Sequence, residues 1–306
     1  HEYLMESPAL NAEEKKKFGD IRYGRAGKIE VMRSLQILSE FLSKYYNKSV
    51  ILLIDEYDVP MARATSNGYY KEMLEIMKGF MQALKDNQCI KLAVITGCLK
   101  IAKESIFTGT NNFVSNTITS SRLNEYYGFV QNEVDRILED AEIKGKGDIM
   151  KKWYDGYHFG DVDVYCPWDV MCYVDDLQKN PNAKPDEYWK DTSDNAIIRS
   201  FIDYAGASIT KKLETLMNGG YIIQRVDENL TYDYLHSSEE NLWSLMYLTG
   251  YLTQVRDYKI DDGWKDNMVA LKIPNLEIKQ IFETEVSKWF EDSSKKWNRT
   301  EFIKSV

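Results

Sequence analysis

Ser49-Val50-Ile51-Leu52-Leu53-Ile54-Asp55-Glu56-Tyr57-Asp58 decides how this chain is read. Five apolar residues run without a break into two consecutive carboxylates, and a third carboxylate follows two positions later. A short, uninterrupted run rich in β-branched residues predicts a strand buried on both faces, as in a parallel α/β sheet. Ligands of such sheets gather at the carboxyl ends of the strands. The run therefore delivers its acids to the place where a site is expected.

The flanking sequence agrees. Lys28 to Tyr46 predicts an amphipathic helix ended by Asn47, with Ile29, Met32, Leu35, Leu38, Phe41 and Tyr45 on one face. Tyr69 to Leu84 predicts a second helix, whose Met73, Met77 and Met81 read as core. Ile90-Lys91-Leu92-Ala93-Val94-Ile95 predicts a second buried strand, closed by Thr96-Gly97. Strand, helix, strand at this spacing is a βαβ crossover, which predicts parallel strands. Thr96 is then expected near Asp55 and Glu56.

Four apolar residues followed by Asp-Glu is the Walker B pattern of P-loop ATPases. In that pattern the Asp holds the Mg²⁺ of the nucleotide and the Glu orients or polarises the attacking water. Asp55 and Glu56 occupy those positions, and a buried strand ending in two solvated acids is the alternative. Thr96 also has two readings: a sensor of the γ-phosphate, or the N-cap of a helix from Cys98 onward.

At 306 residues the chain is long enough for two domains. It contains no apolar run long enough to span a bilayer and no signal-peptide pattern. No membrane partner and a cytoplasmic setting are expected. Thirty-nine basic against 48 acidic residues give a net charge of −9, which argues against duplex DNA as a tight ligand. Cys89, Cys98, Cys166 and Cys172 form no CxxC pair and are expected as buried, reduced thiols. His1, His158 and His236 are too scattered for a zinc site.

Residues 1 to 27 show no clear period. Helices are expected over Glu133 to Ile143, Asp148 to Tyr154 and Pro167 to about Asn180, and around Ile197 to Ile202 behind a Ser193 or Asp194 cap. No sheet-forming pattern interrupts them. A helix from Ser208 precedes a hairpin of residues 221–226 and 230–235. Ser237-x-x-Glu240 is a capping box opening the next helix. Tyr251 to Tyr258 and Met268 to Ile273 are expected strands around Asp261-Asp262-Gly263, before a helix from Leu276. The expected fold class is α/β, in three parts. Residues 1–125 are the C-terminal part of a P-loop NTPase parallel-sheet core, 126–207 a helical lid-like region, and 208–306 a winged-helix-like domain.

Several stretches together carry a resemblance. They are Ile54-Asp55-Glu56-Tyr57-Asp58-Val59-Pro60, the run from Thr96 to Gly109, Tyr127-Gly128-Phe129, Trp153-Tyr154-Asp155-Gly156-Tyr157-His158-Phe159-Gly160, Tyr165-Cys166-Pro167-Trp168 and Tyr188-Trp189-x-x-Thr192-Ser193-x-Asn195. The chain resembles the predicted AAA-ATPase-like proteins of bacteria, from about residue 28 to its end. Members commonly carry an upstream P-loop and a downstream domain of the PD-(D/E)XK nuclease superfamily. The resemblance implies ATP and Mg²⁺ as cofactors, with Asp55 on the metal side and Glu56 as catalytic acid. It implies Thr96 as sensor and Asp58 as a further acid behind them. Lys100 stands where relatives have Arg, and is either a cation facing the phosphoryl oxygens or a solvated surface lysine. For Trp153 to Gly160 the residues suggest a tight turn with packed rings.

No G-x-x-x-x-G-K-[ST] occurs. Gly24-Arg25-Ala26-Gly27-Lys28-Ile29 has the wrong glycine spacing and no Ser or Thr after the Lys. The phosphate cradle is expected either upstream of His1 or not at all, and the chain alone is expected to be inactive. Two functions follow. One is an ATP-binding and ATP-hydrolysing module whose turnover moves a lid. The other is a degenerate ATPase that acts as a protein- or nucleic-acid-binding scaffold for a nuclease-like domain, with the net charge favouring a protein partner.

Overall fold

The structure is a computed structural model that describes residues 2–85, 87–99, 113–189, 207–230, 238–256, 258 and 267–296. The chain is mixed α/β and divides into two compact units. One comprises residues 1–114 with 228–237, the other 115–227 with 238–306.

The first unit begins with two helices where no period was expected, α1 (Tyr3–Glu6) and α2 (Ala12–Arg22). The signal for α2 is local. Asn11 Oδ1 accepts from the Glu14 N–H (2.9 Å) while Glu14 Oε2 accepts from the Asn11 N–H (3.0 Å), a reciprocal cap. The apolar stripe over 28–46 is carried by two helices, α3 (Lys28–Met32) and α4 (Ser34–Tyr46), with a break at Arg33. Leu4, Leu10, Ile37 and Phe41 form a small core of their own. Asn47 ends α4 in the left-handed region at φ 50°.

Strand β1 (Val50–Ile54) follows, then α5 (Val59–Asn67), α6 (Tyr70–Met81) and β2 (Ile90–Ile95). Helix α5 had no clear sequence period; Pro60 in its first turn and left-handed Gly68 at its end set its limits. The two strands are parallel, in register Ile51↔Leu92, Leu53↔Val94 and Ile54↔Ile95. Met61 of α5 and Met77 and Met81 of α6 cluster with Tyr57, Ile54 and Ile95 and cover one face of the pair.

The other face corrects the expectation of burial on both sides. Ile51, Leu53, Leu92 and Val94 are 60, 72, 53 and 46% exposed. A continuous apolar run shows that both faces suit cover. It cannot show whether a cover is supplied, and the helices between β1 and β2 both pack on the same side.

The second unit contains α7 (Gln131–Asp140), α8 (Gly147–Tyr154), β3 (Tyr157–Phe159), β4 (Val162–Val164) and α9 (Pro167–Lys179). The antiparallel hairpin β3–β4 interrupts what was expected to be purely helical. Its three-residue strands are too short to show alternation in the sequence. Then come α10 (Ala207–Met217), β5 (Ile222–Arg225), α11 (Glu239–Leu248), β6 (Thr253–Gln254), β7 (Met268–Lys272) and α12 (Leu276–Lys296).

Strand β5 was expected to pair locally. Its expected partner lies outside the described residues, and among those described it pairs with β7, antiparallel, through Ile222↔Leu271 and Gln224↔Val269, in the order β5-β7-β6. The partner is chosen by core burial: Ile222 and Leu271 join Trp243, Met246, Ile281 and Phe282 in one cluster. Helix α11 is capped by Ser238, whose Oγ accepts from the Asn241 N–H at 3.2 Å, one residue later than the expected box at Ser237. Ser237, the 231–235 strand, the 197–202 helix with its Ser193 or Asp194 cap, and the Asp261-Asp262-Gly263 turn lie outside the described residues.

None of the four cysteines is in a disulfide. Cys98 is exposed and the other three half-buried, where buried thiols were expected. Among the described residues no helix is long and apolar enough to cross a membrane.

Candidate functional site

The parallel ladder continues one step beyond the strands. The Thr96 N–H donates to the Ile54 carbonyl (2.9 Å) and the Tyr57 N–H donates to the Thr96 carbonyl (3.0 Å). These bonds place Asp55, Glu56 and Thr96 together at the carboxyl ends of β1 and β2. Asp55 Oδ1 accepts from the Thr96 hydroxyl and from the Glu56 N–H (3.0 Å). Oδ2 takes part in neither contact. Asp55, Glu56 and Thr96 are all exposed.

Glu56 stands at φ +50°, the left-handed region. For a residue with a long side chain this costs on the order of 1 kcal/mol. Strain of this kind persists where the surroundings over-determine it, and it concentrates at functional sites.

Asp58 sits behind this corner and is only 2% exposed. Its Oδ2 accepts from the Leu99 N–H at 3.0 Å and its Oδ1 from the Cys98 N–H at 3.3 Å. The neighbouring Tyr57 hydroxyl donates to the Leu99 carbonyl at 2.6 Å. Together they tie the segment after β2 to the loop after β1. Gly97 is required between them: a Cβ there would lie 2.6 Å from Asp58 Oδ1 and 2.6 Å from the Tyr57 ring. Sequence reasoning picked out Asp58 but not the parts of Tyr57 and Gly97. The signal was present in Thr96-Gly97, a strand ending on the one residue type that tolerates such contact. Lys100 lies outside the described residues.

Among the described residues no group of three or more His, Cys, Asp or Glu side chains could hold a metal ion.

An α/β chain with two acids at the carboxyl end of one strand and a threonine at that of its parallel neighbour is the class that fold and corner define. Residues 4–107, which include that corner, match the family described as "Predicted AAA-ATPase", in agreement with the motif resemblance. A curated relative, "Uncharacterized protein in vnfD 5'region" of Azotobacter chroococcum mcd 1, is 26% identical over 235 residues. That similarity takes in 75% of this chain and 41% of the relative, so the chain spans less than half of that protein. No solved structure matches the chain.

Proposed function

We propose that residues 1–125 belong to a P-loop ATPase module that binds Mg-ATP and hydrolyses its terminal phosphoanhydride. The observation that carries this reading is the contact of Asp55 with Thr96 across two parallel strands, with Glu56 beside them. The donor chemistry fits the ion. Mg²⁺ prefers hard oxygens and is commonly held by one or two carboxylates plus phosphate oxygens and water. When bound, it neutralises charge on the phosphate oxygens.

Asp55 would hold the ion. Its Oδ1 is fixed by two donors, so the side chain is preorganised at no cost when a ligand arrives. Glu56 would orient and polarise the attacking water. Thr96 donates its hydroxyl hydrogen to Asp55. To sense a γ-phosphate that hydroxyl must change acceptor, which links Asp55 to the phosphate state. Asp58, with both oxygens on backbone amides, acts by positioning the loop after β2. These residues carry no G-x-x-x-x-G-K-[ST], so in this reading turnover uses a phosphate cradle from elsewhere in the protein.

Residues 208–306 support the winged-helix-like reading through their order of helix, strand, helix, strand, strand with β7 central. Residues 126–207 would then be a lid-like region between the two. The net charge of −9 favours a protein partner or a nuclease-like domain over duplex DNA. In the second function a degenerate ATPase serves as the scaffold for that partner.

The test uses a form of the protein that carries a phosphate-binding loop. Glu56→Gln keeps nucleotide affinity and lowers turnover on the order of 10²-fold or more. Asp55→Asn weakens Mg-nucleotide binding itself. Wild-type turnover in Glu56→Gln would overturn the assignment, and a wild-type protein without turnover would select the scaffold reading.

A further inference from the structure

A second group of carboxyls lies in the other unit, at the first turns of α9 and α12. Asp169 and Glu277 are both fully buried, at 0% exposure. Their carboxyls lie within hydrogen-bonding distance of each other. Glu277 Oε1 accepts from the Trp189 N–H at 2.9 Å. Among the described residues Glu277 Oε2 and both oxygens of Asp169 meet no backbone, hydroxyl or amide donor, and the Cys166 thiol is the weak donor beside Asp169. Two carboxylate oxygens so placed are two acceptors, and only a proton between them makes the contact favourable.

The groups that act on the pair are the carboxyl of Glu187, the thiols of Cys166 and Cys172, and the phenols of Tyr154 on α8 and Tyr157 on β3. None is a cation. The packing is also unyielding. Gly156, at φ 103°, admits the Pro274 carbonyl so closely that a Cβ there would lie 2.4 Å from its oxygen. That contact fixes the start of α12 against the turn between α8 and β3.

We propose that Asp169 and Glu277 form a proton-binding site, in which one proton on Glu277 Oε2 is donated to Asp169 and joins α9 to α12. The Trp189 N–H selects the oxygen: it occupies Oε1 and leaves Oε2 for the proton. One ionised carboxylate remains, in the first turns of two helices, where their N-terminal dipoles favour it. Burial pushes Asp169 up from the ordinary carboxylate range. Burial first, and then the charge of Asp169, push Glu277 up to about 9.

The sign of the pH dependence follows. The folded unit holds a proton that the unfolded chain releases, so this contribution is full below the ordinary glutamate value of 4.5 and gone once the pH has passed about 9. Between those limits the folding equilibrium constant falls about tenfold per pH unit from this pair.

Infrared spectroscopy of the wild-type chain tests the proposal without any variant. A carbonyl band of a protonated carboxylic acid is expected at neutral pH, titrating well above the ordinary carboxylate range. Glu277→Gln, whose amide still donates to Asp169, and Asp169→Asn, whose amide donates to an ionised Glu277, should each abolish the band and flatten the fall of stability with pH. Absence of the band from the wild type at neutral pH overturns the proposal. So does a band, or a pH slope, that survives in both variants. If neither variant folds, the alkaline midpoint of the wild-type band decides, and a midpoint in the ordinary range overturns the proposal.

Discussion

The molecule holds two pairs of acids near each other, and they have opposite surroundings. Asp55 and Glu56 stand exposed at the ends of two parallel strands, and Asp55 is held on one oxygen by donors from its own loop and from β2. Asp169 and Glu277 are fully buried, with a single backbone donor between them. The first arrangement leaves carboxylate oxygen open to a cation brought from solution. The second is closed off from bulk solvent, and its charge is limited by a proton. Identical functional groups serve a ligand in one place and hold helices together in the other, because desolvation rather than residue type sets the outcome.

Alanine substitutions sharpen this contrast. Glu277→Ala leaves Asp169 buried and charged without its donor and should cost about 3–5 kcal/mol in chemical unfolding. Asp55→Ala, at an exposed position, should change stability by no more than about 0.5 kcal/mol. Equal costs at the two positions would break the comparison. Asp58→Ala is intermediate: it strands the amides of Cys98 and Leu99 and should cost about 1–3 kcal/mol in the same measurement. The smallest effect belongs to the bare strand face. Leu53→Thr should stay within about 0.5 kcal/mol in this chain. A much larger loss would mean that the face is covered in solution.

How much of this was legible depends on the range of the interaction. The β1–β2 pair and the meeting of Asp55 with Thr96 follow from an apolar run and a βαβ spacing, both local patterns. The unpaired face was not legible, because Ile51 and Leu53 look the same to the sequence whether or not a helix covers them. Nor was the pairing of β5 with β7, which depends on core burial of Ile222 and Leu271 across a long stretch of chain. Asp169 and Glu277 lie in first turns, a favourable and common placement for acids, and nothing in the sequence singles them out. Only the packing of α9 and α12 makes them neighbours. In the Trp153–Gly160 stretch the rings and glycines suggested a turn, but the close approach of Pro274 to Gly156 joins residues far apart in sequence.

Glu56 carries a consequence for anyone who evolves this protein in the laboratory. Its left-handed backbone is disfavoured for glutamate and easy for glycine or asparagine. A library screened for heat tolerance alone should therefore accumulate Gly or Asn at position 56, gaining up to about 1 kcal/mol while losing the carboxylate. A library screened for turnover should refuse both. The side on which position 56 settles under each regime would record, in allele frequencies, whether that backbone strain is kept for chemistry.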